Sequence, residues 1–334
     1  MPLPRILLTP NRLGVHYHCV SRVVDRNFVF DVHERDVFRK IMRQVEAFSG
    51  VRVLTWTILS NHFHLLVEVP APPTTPLTHD QILDRCRALY SDDQMIAVES
   101  EFADAKRTGG NTLEELHGRF IRRMWDLSEF IKTVKQKFTL WFNRTHDRVG
   151  TLWESRFKSV LVEGERNTLL KVAAYIDLNA VRAGIVDDPK EYCWCGYSEA
   201  VAGDAKAREG LAVAFADVKP DTPWREMAPR YRKLLFGIGA QTDTRAGISP
   251  EAIAKVWAAG GKLSVAQVLR CRVRHFTDGL AVGSAAFIER VFQIHRAAFG
   301  DKRQSGARRL RGDPLDGLCS ARALRKSAIT CGDG

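Results

Sequence analysis

The sequence predicts an α+β fold built on a four-stranded sheet, and three observations support this prediction. Alternating and β-branched residues indicate strands at 15–22, 51–59, 62–69 and 156–163, and only residues 60–61 separate the second strand from the third. Amphipathic helical spacing fills the intervals after the first and third strands, and a further helix follows the fourth. Strand, helix, strand, strand, helix, strand is the order of the ferredoxin-like split βαβ sheet, here with an appended helix.

The three helices of this unit are predicted at 33–49, 128–146 and 167–184. In each of them, apolar residues recur every three or four positions and form one face. Gly50 is a suitable stop for the first helix, and Asn167 is a plausible N-cap for the third. These boundaries place the third helix directly after the fourth strand, so it can pack against the sheet.

The chain divides into three parts by pattern. Residues 1–200 form the predicted main domain, with a helical insertion at about 71–127 that begins in a Pro/Thr-rich break. Residues 224–300 read as short helices, predicting a small all-helical C-terminal domain that binds DNA. We expect that domain to be independent, and that a chain ending near residue 222 keeps its chemistry. The tail at 301–334, rich in Arg, Gly and Ser, is expected to be disordered.

Composition narrows the class of protein. The chain of 334 residues carries 50 Lys or Arg against 39 Asp or Glu, a net charge of +11, which favours a polyanionic partner such as nucleic acid. Apolar runs fall short of the roughly 20 residues of a membrane span, and a signal peptide is not evident. Seven scattered cysteines predict a reduced chain, hence a cytoplasmic protein, nucleoid-associated if bacterial.

His62-Phe63-His64 is the first motif that could carry chemistry. On a strand, residues two apart face the same side, so both imidazoles are available to one divalent metal while Phe63 faces the opposite side. The alternative is a pair of histidines on a hydrogen-bonded strand face. His16 and His18 have the same spacing and compete for the role, although we expect His18 to be structural or to support the site.

Tyr175 and Asn179 form the second motif. Residues four apart lie on one face of a helix, so the phenol and the amide point the same way. A tyrosine hydroxyl is a competent nucleophile, and an amide oxygen is an acceptable ligand for Mg²⁺ or Mn²⁺. The alternative for Tyr175 is ordinary packing in a core or an interface.

Three segments together resemble one family. SNHFHLLVE (60–68), WFNRTHDRVGTLWESRFKSVLVE (141–163) and YIDLNAVRAGIVDDPKEYCW (175–194) resemble the REP-associated tyrosine transposases. Those are members of the HUH-type single-strand DNA transposases, named for a His, hydrophobic, His motif. The resemblance extends over about residues 12–198 and keeps the order of the motifs.

The resemblance implies a role for each motif residue. His62 and His64 would hold a divalent metal, Mg²⁺ or Mn²⁺, Tyr175 would be the nucleophile on the appended catalytic helix, and Asn179 would complete the metal site. Ala180 stands where the family usually has Pro, so the helix is expected to continue regularly past Asn179.

The function implied is that of a single-strand DNA transposase or endonuclease. It would cleave and rejoin DNA at hairpin repeats through a 5′-phosphotyrosine intermediate. The absence of a GxxxxGK[ST] motif fits chemistry without ATP. The alternatives are a domesticated, non-cleaving protein that binds hairpin DNA and regulates it, and a plain nuclease that activates water. The partner is expected to be single-stranded hairpin DNA and not a membrane, and monomer or homodimer stays open.

Basic and aromatic residues near these motifs are candidates for DNA contact. The basic candidates are Lys132, Lys135, Arg144, Arg156, Lys158 and Arg182. An ordinary solvated charged surface is the alternative. Trp153 and Phe157 could stack on unpaired bases, but core packing explains them equally well.

Overall fold

The structure, a computed structural model, describes residues 6–10, 14–109, 112–165, 167–215, 218–219, 222–236, 264–309, 315, 317–322 and 329–330. Its strands are β1 (Val15–Arg22), β2 (Arg52–Ile58), β3 (His62–Val69), β4 (Lys158–Val162), β5 (Arg272–Val273), β6 (Ala281–Gly283), β7 (Arg308–Arg309), β8 (Cys319–Ser320) and β9 (Ile329–Thr330). Its first helices are α1 (Val32–Ser49), α2 (His79–Leu89), α3 (Asp92–Thr108), α4 (Thr112–Ile121), α5 (Leu127–Thr145), α6 (Thr168–Asp177) and α7 (Asn179–Arg182). The later helices are α8 (Gly196–Ala202), α9 (Ala205–Ala214), α10 (Trp224–Phe236), α11 (Val265–Leu269), α12 (Arg274–Asp278) and α13 (Ala285–Ile294).

The first four strands lie in the order β2–β3–β1–β4, and each adjacent pair is antiparallel. This is the ferredoxin-like arrangement, and α1 and α5 fill the two helical positions of the unit. The α+β class and the ferredoxin-like order predicted from the sequence are therefore confirmed.

Local signals explain why α1 begins and ends where it does. Asp31 and Glu34 form a reciprocal capping box at its first turn, which satisfies backbone N–H groups that have no partner within the helix. Gly50 follows the last turn with φ of 73°, a left-handed conformation that glycine adopts at little cost. The predicted stop at Gly50 is confirmed.

Two hydrophobic cores cover the two faces of the sheet. Phe63, Leu65 and Val67 of β3 belong to the core that also contains the buried faces of α1 and α5. Leu66, between them, belongs to the second core, together with α6 and α10. Alternate residues of β3 therefore face different layers, as a strand requires.

The insertion consists of α2, α3 and α4. Their buried residues, including Ile82, Phe102 and Phe120, belong to the same core as α1. Two of these helices begin with a capping box, at Thr78 and Ser91, and so have well-defined starts. The insertion packs on the sheet unit and lies on the side of α1.

The segment after α7 differs from its sequence pattern. Its glycines and aspartates, up to about residue 222, predict a turn-rich stretch, but it forms α8 and α9. Gly210 lets α9 approach β2 closely, since a Cβ atom there would lie 2.6 Å from the Leu54 carbonyl oxygen. The Ala-rich composition of this segment favours helix, and burial against β2 offsets its glycines.

The prediction of an all-helical C-terminal domain is wrong for the described residues. Strand β6 pairs in parallel with β4, and β8 and β7 extend the same sheet beyond it. The backbone N–H and C=O groups at the edge of β4 need hydrogen-bond partners, and β6 supplies them. Because β6 has only three residues, it is too short to show a strand pattern in the sequence. The short helices predicted within 224–300 include α10, which begins that segment, while residues 237–263 lie outside the described residues.

Parts of the tail and one cysteine also differ from expectation. Tail residues expected to be disordered form β7 and β8, and Cys319 and Ser320 are buried. Cys271 is disulfide-bonded, so the expectation of a fully reduced chain is wrong at that position. In the part of the chain that the structure describes, no helix is both long and apolar enough to cross a membrane.

Asp177, at the end of α6, connects three elements through its buried carboxyl group. It accepts hydrogen bonds from the hydroxyls of Thr55 on β2 (2.6 Å) and Tyr231 on α10 (2.5 Å), and a longer one from the Tyr197 backbone N–H (3.4 Å). Burial raises the pKa of Asp177 from 3.8 to about 7, although these hydrogen bonds act in the opposite direction. The folded chain therefore favours the protonated acid.

We expect the free energy of unfolding to fall as pH rises from about 4 to about 7. Above pH 4 the unfolded chain releases the Asp177 proton, whereas the folded chain retains it until its pKa near 7. The loss is on the order of 4 kcal/mol across that interval. Asp177→Asn should flatten this pH dependence in urea unfolding measured at pH 5 and pH 7.5.

Asp104→Asn is the matched control, because Asp104 lies exposed on α3. It should leave the pH dependence as in the original chain. An unchanged slope in Asp177→Asn would contradict the assignment.

Candidate active site

His62 and His64 lie side by side on β3, on the face that packs against α6. Their ring centroids are 5.1 Å apart, and His64 is 4% exposed. His62 Nδ1 lies 2.6 Å from Asn61 Oδ1, whose own amide nitrogen donates to the Arg26 carbonyl. The amide oxygen therefore faces His62 and accepts from Nδ1–H, which leaves Nε2 of His62 with a lone pair.

His18 on β1 contacts His64 directly. Its Nε2 lies 2.8 Å from His64 Nδ1, and its Nδ1 lies 2.7 Å from the carbonyl oxygen of Phe276. Both ring nitrogens are thus engaged within the protein, so His18 has no lone pair left for a metal. This arrangement fits the expected supporting role, and His16 lies one pleat further along β1, opposite Glu68.

Burial makes all three imidazoles neutral at pH 7. It is the main cause that lowers the pKa of His18 to about 4 and that of His62 to about 3. The pKa of His64 is also well below its usual value, first because of burial and then because of the neighbouring His18. Neutral imidazole is the form that binds a metal.

Tyr175 lies on α6 and is only 2% exposed. Its ring packs edge-on against Phe276, with centroids 5.0 Å apart, and its centroid lies 6.3 Å from that of His18. Among the described residues its hydroxyl has no hydrogen-bond partner, unlike that of Tyr192, which donates to the Ile58 carbonyl (2.6 Å). Packing against Phe276 and Arg182 therefore fixes the ring, and no described residue bonds to the hydroxyl oxygen.

Arg182 links Tyr175 to Asn179. Its guanidinium carbon lies 3.9 Å from the centre of the Tyr175 ring, and Nη2 donates to the Tyr175 carbonyl and to Asn179 Oδ1, both at 2.6 Å. Nη1 donates to the carbonyl of Leu269 at 2.8 Å. The charge of Arg182 is thus fixed beside the phenol by three oxygen atoms.

The helix does not run regularly through these residues. Expected to be continuous because of Ala180, it is interrupted at Leu178, between α6 and α7. The Tyr175 carbonyl accepts from the Arg182 side chain, which provides this oxygen with a partner at the interruption. Asn167 stands at the start of α6 without capping it through its side chain.

The residues present fit a metal in part. His62 and His64 are neutral and adjacent, as a pair of ligands must be. Asn179 Oδ1, in contrast, accepts an N–H from a cation. Within the described part of the chain, no group of three or more His, Cys, Asp or Glu is arranged to hold a metal ion.

Several basic residues expected to contact DNA have partners within the protein. Lys132 pairs with Glu129, Lys135 donates to the Ser155 carbonyl, and Lys158 pairs with Asp278. Arg144 and Arg156 are exposed, whereas Arg182 lies in the site itself. Trp153 and Phe157 are both buried in the core of α1 and α5, which supports the packing alternative.

A basic rim around His62, formed by Arg22, Arg26 and Arg272, was missed. Arg22 lies opposite His62 in the strand register, and Arg22 and Arg272 both contribute, after burial, to the lowered pKa of His62. Arg26 follows on the same loop, and its carbonyl holds Asn61. None of the three forms an ion pair with another described residue. Arg22 was detectable, because strand alternation places it on the face of His18.

Phe28 was missed as well. It lies two residues after Arg26 and is 84% exposed, which is unusual for a ring of that size.

Comparison with known proteins bears on the first part of the chain. Residues 11–78 match the family of IS200-like transposases. The matched segment contains β1, α1, β2 and β3, and with them His18, His62 and His64. Over these residues the match supports the predicted resemblance to transposases at the level of the IS200-like family.

One solved structure, of a REP-associated tyrosine transposase bound to a REP hairpin, is similar with a TM-score of 0.38 and 12% identity. The similarity covers 60% of this chain and 87% of that one. No curated protein sequence matches this chain.

Proposed function

We propose that this protein is a single-strand DNA transposase that cleaves and rejoins DNA at hairpin-type repeats through a 5′-phosphotyrosine intermediate. The observation that carries the proposal is one unbroken series of contacts, from His62 and His64 through His18 to Tyr175. Two adjacent neutral histidines, linked through His18 to a tyrosine whose hydroxyl no described residue bonds, provide the components of metal-assisted phosphoryl transfer.

His62 and His64 would hold the divalent metal, Mg²⁺ or Mn²⁺. A bound metal ion polarises the scissile phosphate and stabilises the charge that develops on it. Asn179 is proposed as a third ligand through Oδ1, which already accepts one N–H from the Arg182 cation, so a metal there would have to share the oxygen with that cation or displace it. The histidines need no such change.

Tyr175 would attack the scissile phosphorus. A bond forms between Tyr175 Oη and phosphorus while the bond from phosphorus to the 3′ oxygen breaks; the phenol loses a proton and the 3′ oxygen gains one. One phosphodiester replaces another, so the step needs no ATP and is reversible by a 3′-hydroxyl. Arg182, 3.9 Å from the ring centre, favours the negative charge that grows on the phenolic oxygen.

The single strand would cross the basic rim. Arg22 and Arg272 act on His62, Arg26 acts on Arg22, and none of the three has an ion pair among the described residues. Phosphate contacts of this kind supply most of the affinity for DNA. Phe28 would serve as a stacking surface for a base, since its ring is exposed at the end of the same loop.

A non-cleaving, hairpin-binding regulator is the second candidate. The bond between Asn179 and Arg182 favours it, because it occupies an oxygen that the metal would need. A covalent protein–DNA adduct, trapped on a denaturing gel with labelled hairpin DNA and Mn²⁺, distinguishes the two: the transposase forms it and the regulator does not.

Replacing both His62 and His64 with Ala should abolish Mn²⁺ binding measured by titration calorimetry. His79 and His117, a stacked pair in the insertion with centroids 5.8 Å apart, provide the matched double variant, which should keep its Mn²⁺ affinity. Thermal unfolding confirms that each variant folds. Equal Mn²⁺ affinity in the two double variants would show that the metal binds elsewhere.

Tyr175→Phe should lose the covalent adduct completely and keep its stability, because the hydroxyl has no hydrogen-bond partner among the described residues. Tyr192→Phe should do the opposite: it loses the bond to the Ile58 carbonyl, costs about 1 kcal/mol of stability and keeps the adduct. Tyr17 cannot substitute, since it faces the other core. An adduct that persists in Tyr175→Phe would refute the nucleophile assignment.

Changing Arg22, Arg26 and Arg272 together to Gln should weaken binding to a single-stranded oligonucleotide. The slope of log K against log salt should become shallower by about 2, roughly 0.7 for each phosphate that the protein no longer neutralises. The control replaces Arg87, Arg107 and Arg119, which are exposed and paired with acidic residues. If both triple variants change the slope equally, the rim has no special role.

A further inference from the structure

We infer that the backbone carbonyl of Phe276 determines which nitrogen of His64 is available to a metal, and that His18 transmits this choice as a positioning residue. It rests on the proposed function in one respect, because it assumes that His64 binds a metal. Its central observation, a hydrogen-bonded series from Phe276 through His18 to His64, stands on the geometry alone.

The direction of each hydrogen bond follows from chemistry. A carbonyl oxygen only accepts, so His18 must carry its proton on Nδ1, 2.7 Å from the Phe276 oxygen. In a neutral imidazole the other nitrogen is then bare, and His18 Nε2 accepts from His64 Nδ1 at 2.8 Å. His64 thus carries its proton on Nδ1 and presents a bare Nε2.

His62 reaches the same tautomer by a separate route. Its Nδ1 donates to Asn61, whose orientation is fixed by the Arg26 carbonyl. Both histidines therefore present Nε2, which is the common result of a hydrogen bond at the other ring nitrogen of a metal ligand. The two groups that fix the tautomers lie far apart in the sequence. Asn61 lies in the hairpin beside His62, whereas the Phe276 carbonyl is 258 residues from His18.

Phe276 belongs to a C-terminal segment that contacts the site at three points. Its carbonyl bonds to His18, its ring packs on Tyr175, and the Leu269 carbonyl binds Arg182. These contacts place the segment against His18, Tyr175 and Arg182, so on the proposed function we now expect a chain ending near residue 222 to lose support for the site.

Long-range ¹H–¹⁵N NMR of the metal-free full chain reports the tautomers directly. The original chain should show His64 and His18 each as a single neutral tautomer with the proton on Nδ1. A proton on Nε2 of His64 would overturn the inference without any variant. This readout does not depend on cleavage, so it separates failure of the inference from failure of the proposed function.

Two substitutions then test whether His18 acts through His64. His18→Phe keeps a ring but no nitrogen, and should mix the His64 tautomers and reduce Mn²⁺ affinity by about 10- to 100-fold. His18→Gln offers an amide oxygen that can accept from His64 Nδ1, and should restore both the single tautomer and most of the affinity. Unchanged Mn²⁺ affinity in His18→Phe would refute the positioning role.

His16→Phe is the matched control. His16 lies two residues earlier on the same face of β1 and is also buried, but its Nε2 has no hydrogen-bond partner among the described residues. It should leave the His64 tautomer and the Mn²⁺ affinity unchanged. Should it alter them as much as His18→Phe does, general packing on this face would explain both results.

Discussion

The alternation of side chains along β3 is the constraint on which the site depends. Phe63 and Leu65 anchor the strand in one core, so His62 and His64 must face the other layer. A slip of one residue in the pairing with β1 would turn the imidazoles into the core of α1 and α5 and would turn Phe63 and Leu65 toward α6. The same apolar residues that stabilise the sheet therefore aim the histidines at α6.

Three buried polar side chains of this layer, His18, His64 and Asp177, are tolerated because each has hydrogen-bond partners. His18, His64 and Asp177 are almost fully buried, and burial without hydrogen bonds would cost several kcal/mol for such groups. Asp177 joins β2, α8 and α10, while His18 joins β1, β3 and α12. Hydrogen bonds as well as apolar packing therefore stabilise the layer around α6. Because hydrogen bonds are directional, they define the positions of these elements more narrowly than apolar contacts alone would.

Much of this architecture was predictable from local pattern. Long strands such as β1 and β3, and α1 with its capping box and Gly50, have strong periodic signals, so the ferredoxin-like order followed from them. The short strand β6 has three residues and no period to detect, and its existence depends on the unpaired edge of β4. Non-local pairing decided that part of the fold.

The site likewise contains some residues that the sequence reveals and others that only the fold reveals. His62, His64 and Tyr175 stand in motifs that a reader of the sequence can find. The Phe276 carbonyl cannot be found, because every residue has one and only the fold chooses which is used. Arg22 could be predicted, because strand alternation places it on the face of His18 and the register sets it opposite His62.

The parallel pairing of β4 with β6 has a consequence for biosynthesis. A chain emerging from the ribosome completes β4 more than a hundred residues before β6. The backbone groups at this edge of β4 therefore lack their strand partner until β6 has been translated. During that interval His18 also lacks its carbonyl partner. The nascent polypeptide therefore cannot form the hydrogen bonds from Phe276 through His18 to His64 until Phe276 has been translated, and a product terminated before that residue lacks both the β6 strand and this contact.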